Sequence, residues 1–135
     1  MEKLRFVMVL HNHQPVGNDP RIIEEVAQAS YRPLLTALES VPWLRHALHV
    51  SGPLLIWMES ADQAYLDRLG TMVARGQVEL LTGGLYEPVL TAIPSADRIA
   101  QVTGLSERIR RRFGVRPQGL WLTDRVWEPQ IVPDL

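Results

Sequence analysis

Four short apolar runs, each passing into a polar cluster that closes on a proline, constrain this chain more than any other feature. The runs cover residues 4–10, 46–50, 78–81 and 119–123. They lead into His11-Asn12-His13-Gln14-Pro15, His49-Val50-Ser51-Gly52-Pro53, Gly83-Gly84-Leu85-Tyr86-Glu87-Pro88 and Thr123-Asp124-Arg125-Val126-Trp127-Glu128-Pro129. Short, nearly continuous apolar runs are what buried parallel strands require, because both faces of such a sheet are covered. Helical periodicity fills the intervals. Over residues 22–38 one stripe holds Ile22, Ile23, Val26, Leu34, Leu35 and Leu38, with Pro33 inside it predicting a kink or two helices. Residues 54–74 carry Ile56, Tyr65, Leu66, Leu69, Met72 and Val73 and stop at Arg75-Gly76. Residues 96–113 form the third stretch, with Ser95 expected at the N-cap and Gly114 at the C-cap.

A β-α-β-α-β-α-β order implies a parallel α/β sheet with right-handed crossovers, and no Gly-rich phosphate loop follows any run. The 135 residues read as one domain, 1–135. A parallel barrel takes roughly 250 residues. The four runs therefore predict only the first four βα units, a half-barrel whose open edges favour self-association. Residues 129–135 look like the opening turn of a further helix.

Net charge is −1, which gives no reason to expect nucleic acid as a partner. No stretch reaches the roughly 20 apolar residues of a membrane span, and the start lacks a secretory pattern, so a cytoplasmic location is expected. With no cysteine, disulfides and thiolate metal sites are excluded. The basic run Arg108–Arg112 reads as a solvated last helical turn.

In a parallel βα array the C-terminal strand ends share one rim, where barrel active sites are built. Four polar clusters on that rim point to a site. His11-x-His13 puts two imidazoles on one face of an extended segment; that spacing can bind a metal, but beside Asn12 and Gln14 it suits hydrogen bonding to a polar substrate better. No metal and no cofactor is expected. Glu87, next to Tyr86 and two glycines, suits hydroxyl recognition. Asp124 follows a buried-looking run beside Arg125, where a carboxylate is partly desolvated. Trp127 is the better candidate for a stacking surface, with Trp121 read as core. The candidate catalytic residue is thus Asp124, and the candidate substrate contacts are His11, His13, Gln14, Glu87, Arg125 and Trp127.

The clusters His11–Pro15, Gly84–Pro88 and Trp121–Pro129 resemble the first three sequence signatures of glycoside hydrolase family 57. Residues 17–18, 30–33, 51–54 and 92–94 resemble that family's 4-α-glucanotransferase and α-amylase branch. The resemblance implies a seven-stranded (β/α) barrel that cleaves α-glucosidic bonds with retention, so the partner it implies is an α-glucan or maltooligosaccharide. Retention needs two carboxyl groups roughly 5–5.5 Å apart. The resemblance also implies that His13 contacts sugar with His11 nearby, that Glu87 binds substrate, and that position 124 holds the nucleophile. The family has glutamate there and this chain has Asp124. The family's acid/base aspartate belongs to a fourth signature absent from this sequence, and Asp134 is not assigned that role. The expectation is an α-glucan hydrolase or 4-α-glucanotransferase chain that is inactive alone. A non-catalytic α-glucan-binding relative and a metal-dependent amidohydrolase-like barrel are the alternatives. The last would need a carboxylated lysine, and Lys3 is the lone lysine.

Overall fold

The computed structural model describes residues 4–135. Three parallel strands form its sheet in the order β1 (Val9–Asn12), β2 (His46–Val50), β3 (Val78–Leu81). The register pairs His11 with His49 and Asn12 with Val50, and on the other side of β2 it pairs Leu48 with Leu80. The central strand is the most deeply buried of the three. The first strand lies further along the chain than the apolar run predicts. Pairing begins where Met8 O accepts from Ala47 N–H, because β2 offers only five residues; Leu4, Phe6 and Val7 precede it and are exposed. The fourth run does not become a strand. A single parallel bridge joins Leu120 to Thr82, after which Asp124 and Arg125 adopt positive φ and turn the chain away. The structure thus shows a three-stranded parallel sheet carrying one extra bridge, in place of four full strands.

The helices explain themselves from the sequence. Helix α1 (Pro20–Val26) begins after Asp19, whose carboxylate accepts from Arg21 N–H, and Pro20 supplies a first residue that needs no donor. Pro33 is accommodated without a break: one π-helical turn, Ala27–Tyr31, runs straight into α2 (Arg32–Glu39). Its widened bond, Arg32 N–H to Ala27 O, loosens the turn in which the proline ring would otherwise clash. The predicted single helix over 54–74 is two, α3 (Gly52–Ala61) and α4 (Gln63–Ala74). Asp62 makes the break: its backbone leaves the helical region, and its carboxylate caps α4 at Tyr65 N–H and pairs with Arg32 at 2.7 Å. Helix α5 (Ser95–Phe113) is capped by Pro94, so Ser95 is its first residue, and Gly114 closes it in the left-handed conformation. Its basic run is more than a solvated turn: Arg108 pairs with Glu59 of α3, and Arg112 with Asp67 of α4 at 2.5 Å. Among the described residues no helix is long and apolar enough to cross a membrane.

Leu35, Leu54, Leu55, Met58, Leu66, Leu69 and Met72 fill the space between helices and sheet. A smaller cluster of Leu90, Val102 and Ile131 seats the short 3₁₀ turn Pro129–Asp134 against α5. Gly52 allows the β3 loop to close over the start of α3. A Cβ there would stand 1.9 Å from Leu85 O, an impossible approach to backbone. We expect Gly52→Ala to lower the unfolding free energy by about 3 kcal/mol, the upper part of the overpacking range, because backbone must move. Urea denaturation checks this; wild-type stability in the variant would contradict the packing described.

Candidate functional site

Period-two alternation sorts the first cluster into two jobs. Asn12 and Gln14 turn inward. Asn12 Nδ2 donates to Tyr65 OH at 3.2 Å, and Gln14 Nε2 donates to Tyr31 OH at 2.8 Å. Gln14 Oε1 accepts from Asn18 Nδ2 at 2.6 Å, and Gln14 N–H donates to Ser51 Oγ at 3.0 Å. Tyr31 OH in turn donates to His13 O at 2.7 Å. Gln14 is therefore corrected from substrate contact to buried scaffold, its amide being consumed by this network. His11 and His13, on the opposite face, open onto a cleft.

That cleft, about 470 Å³, is lined by His11, His13, Glu87, Trp121, Thr123, Asp124 and Arg125. Such a volume falls in the range of small-molecule sites. The strand register sets His11 beside His49, with their Nδ1 atoms 2.8 Å apart. The Trp121 indole lies nearly parallel to both imidazoles, 4.4 Å from the His11 ring at 14° and 5.9 Å from the His49 ring at 15°, while the two imidazole centroids are 4.9 Å apart. The aromatic wall is therefore Trp121; Trp127 is exposed and lies outside the lining. The single bridge at Thr82 explains the exchange, because Trp121 N–H donates to Thr82 O and holds this residue at the sheet edge while Trp127 follows the turn outward.

Glu87 is the centre of the site. Its side chain is only 7% exposed, Oε2 is hydrogen-bonded to His13 Nδ1, and Oε1 lies 3.6 Å from His11 Nε2 and 3.9 Å from His49 Nδ1. Burial raises the Glu87 carboxyl pKa above the usual range, the His13 ring opposes this, and Asp124 adds to it. Burial lowers His11, helped by the charge of His13, and pushes fully buried His49 down to about 3. His11, His13 and Glu87 also bring possible metal-ligand atoms within 4.8 Å of one another.

Among the described residues three non-glycine residues adopt positive φ: Glu87 at 51°, Asp124 at 52° and Arg125 at 58°. All three line this cleft. Each such placement costs an L-residue roughly 1–2 kcal/mol. Strain of this kind persists where surrounding structure holds it, and it clusters at functional sites. All three are site candidates by their place at the strand ends, but their strain is not legible in the sequence. His49 is fully buried and touches His11. Gly83 makes that possible, since a Cβ on it would lie 2.9 Å from His49 Nε2. Asp134 pairs with Arg98 at 2.6 Å, outside the cleft.

The buried histidine sets a pH dependence. An unfolded His49 takes up a proton near pH 6.5, whereas the folded ring stays neutral down to about 3. In that window the unfolded state binds more protons, so stability falls as pH falls, by about 1.4 kcal/mol per pH unit at most. His49→Phe, which keeps a flat ring, should flatten the slope of unfolding free energy against pH between 6 and 4 by up to that amount, about 1.4 kcal/mol per unit. An unchanged slope in urea titrations would show that His49 titrates alike in both states.

Comparison with known proteins gives this site a family. The model described as "Glycosyl hydrolase family 57" matches residues 7–135. The 4-alpha-glucanotransferase of Thermococcus litoralis is 44% identical over the whole chain, and the alpha-amylase of Pyrococcus horikoshii is 44% identical over the same 135 residues. The chain spans about a fifth of their lengths, 20% and 21%. The crystal structure of the Thermococcus litoralis enzyme superposes with a TM-score of 0.91, covering 95% of this chain and 20% of that one. Matched along nearly all of its residues, the chain belongs to glycosyl hydrolase family 57.

Proposed function

We propose that this chain supplies part of the cleft in which an α-glucan is bound and cleaved, as a retaining α-glucan hydrolase or 4-α-glucanotransferase. The observation that carries the reading is the convergence of Glu87, Asp124 and Arg125, all in left-handed backbone, on one cleft walled by Trp121 and two histidines. Sugars present C–H faces that favour an indole and hydroxyls that favour imidazole and carboxylate groups. On this reading His11, His13, Glu87 and Arg125 bind sugar hydroxyls and Trp121 stacks on a ring. Asp124 stands at the nucleophile position of the family resemblance. The metal-dependent amidohydrolase reading is not favoured, and the lysine it would require, Lys3, lies outside the described residues.

Retention needs a nucleophile and a separate acid/base carboxyl group. Glu87 is committed to His13 by a hydrogen bond, so we assign it to binding. Asp134 is committed to Arg98 and Ser95. The 135-residue chain is thus expected to show no cleavage of maltooligosaccharides. Aspartate at position 124 is one methylene shorter than the family's glutamate and sets its carboxylate back by roughly 1 Å. A displacement of that size costs on the order of 100-fold in rate, or about 2.7 kcal/mol of barrier.

The test is to graft this chain in place of the matching segment of a full-length relative and assay glucan cleavage. Asp124→Glu should raise the rate by at least about 100-fold, and Asp124→Asn should remove whatever activity remains. Full activity in Asp124→Asn would put the nucleophile elsewhere.

A further inference from the structure

A neutral His49 facing a neutral His11 through their Nδ1 atoms at 2.8 Å needs one proton between the two nitrogens, and only one. Two arrangements satisfy this. If His11 donates, His49 must carry its own proton on Nε2. That atom is buried and has no partner, beside the space where a Gly83 Cβ would be. A buried N–H with no acceptor loses its water hydrogen bond without replacement. If His49 donates from Nδ1, its Nε2 is a bare ring nitrogen, for which burial without a partner is less costly than for an N–H. His11 then carries its proton on Nε2, which lies 3.6 Å from Glu87 Oε1. A donor facing a carboxylate is favourable, whereas a lone pair there would repel it.

We infer that His49 is a positioning residue that holds His11 in its Nε2–H form, so that the cleft presents a hydrogen-bond donor beside Glu87 and not a metal-binding lone pair. The fit is built into the fold. The register between β1 and β2 sets the two rings side by side, the Trp121 indole lies nearly parallel to both of them, and Gly83 leaves room behind His49. The 4.8 Å grouping of His11, His13 and Glu87 has the spacing of a metal site, but in this tautomer His11 Nε2 has no lone pair to offer. The same donor suits a sugar hydroxyl placed between His11 and Glu87. That last consequence rests on the glucan reading above; the tautomer does not.

The experiment is long-range ¹H–¹⁵N NMR of the imidazole nitrogens in the 135-residue chain at neutral pH, for wild type and His49→Phe. The expected wild-type result is a proton on Nδ1 of His49, the minor tautomer of free imidazole, together with a proton on Nε2 of His11. In His49→Phe the Nδ1 resonance of His11 should lose the shift of a hydrogen-bonded acceptor. A wild-type chain with the proton on Nδ1 of His11 overturns the inference, as does a His11 pattern unchanged in His49→Phe. Should the variant fail to fold, the wild-type spectrum decides alone. Maltoheptaose affinity is read separately: a loss of about tenfold in His49→Phe, the scale seen when a partner orienting a ligating histidine is removed, extends the role to sugar binding. Unchanged affinity with the expected tautomers would sink the glucan consequence and leave the positioning role standing.

Discussion

The site depends on one buried carboxylate. Glu87 sits among His11, His13 and His49 with its side chain almost closed to solvent. Burying a carboxylate is costly unless donors surround it. Here they come from His11 in β1 and His13 just after it, placed by the backbone pairing of β1 with β2, while Glu87 arrives from the loop after β3 in a left-handed conformation. A slip of one residue in β1 would turn both histidines away and bring Asn12 and Gln14 into the cleft. The inward network of Tyr31, Tyr65 and Ser51 opposes that slip, because it would leave those buried polar groups unpaired.

The stable scaffold and the strained rim are therefore complementary. Helices α2 to α4 bury leucine and methionine in the main core, and ion pairs from Arg32, Arg108 and Arg112 tie α2 to the start of α4 and α5 to α3 and α4. Left-handed Glu87, Asp124 and Arg125 draw on that stability. Because three strands plus a bridge hold them, the cleft is shaped before any ligand arrives, which lowers the ordering cost of binding.

Much of this was legible in the sequence, for physical reasons. β2 and β3 follow from apolar runs bounded by turns, and α5 ends where Gly114 predicts. His11, His13, Glu87, Asp124 and Arg125 reach one cleft because strand ends in a parallel array share a rim. What failed depended on partners distant in sequence. The first strand shifts because the length of β2 limits its pairing, and the fourth shrinks to a bridge where positive φ at Asp124 ends it. Gln14 goes to the scaffold because Tyr31 and Ser51 claim it. Period-two spacing from His13 could have signalled that. Nothing local distinguished Trp121 from Trp127; the difference is made by the bond from Trp121 N–H to Thr82 O. The break at Asp62 was readable as a cap followed by a helical stripe.

On the proposed function, sugar enters the cleft between Trp121 and the histidine–Glu87 cluster. Chemical-shift mapping of the 135-residue chain titrated with maltoheptaose tests it most directly. Shifts are expected at the Trp121 indole N–H and the His11 and His13 rings, with the indoles of Trp43 and Trp57 unmoved. Shifts confined to the groove beside Phe6, Arg45 and His46, or none at saturating sugar, would contradict it.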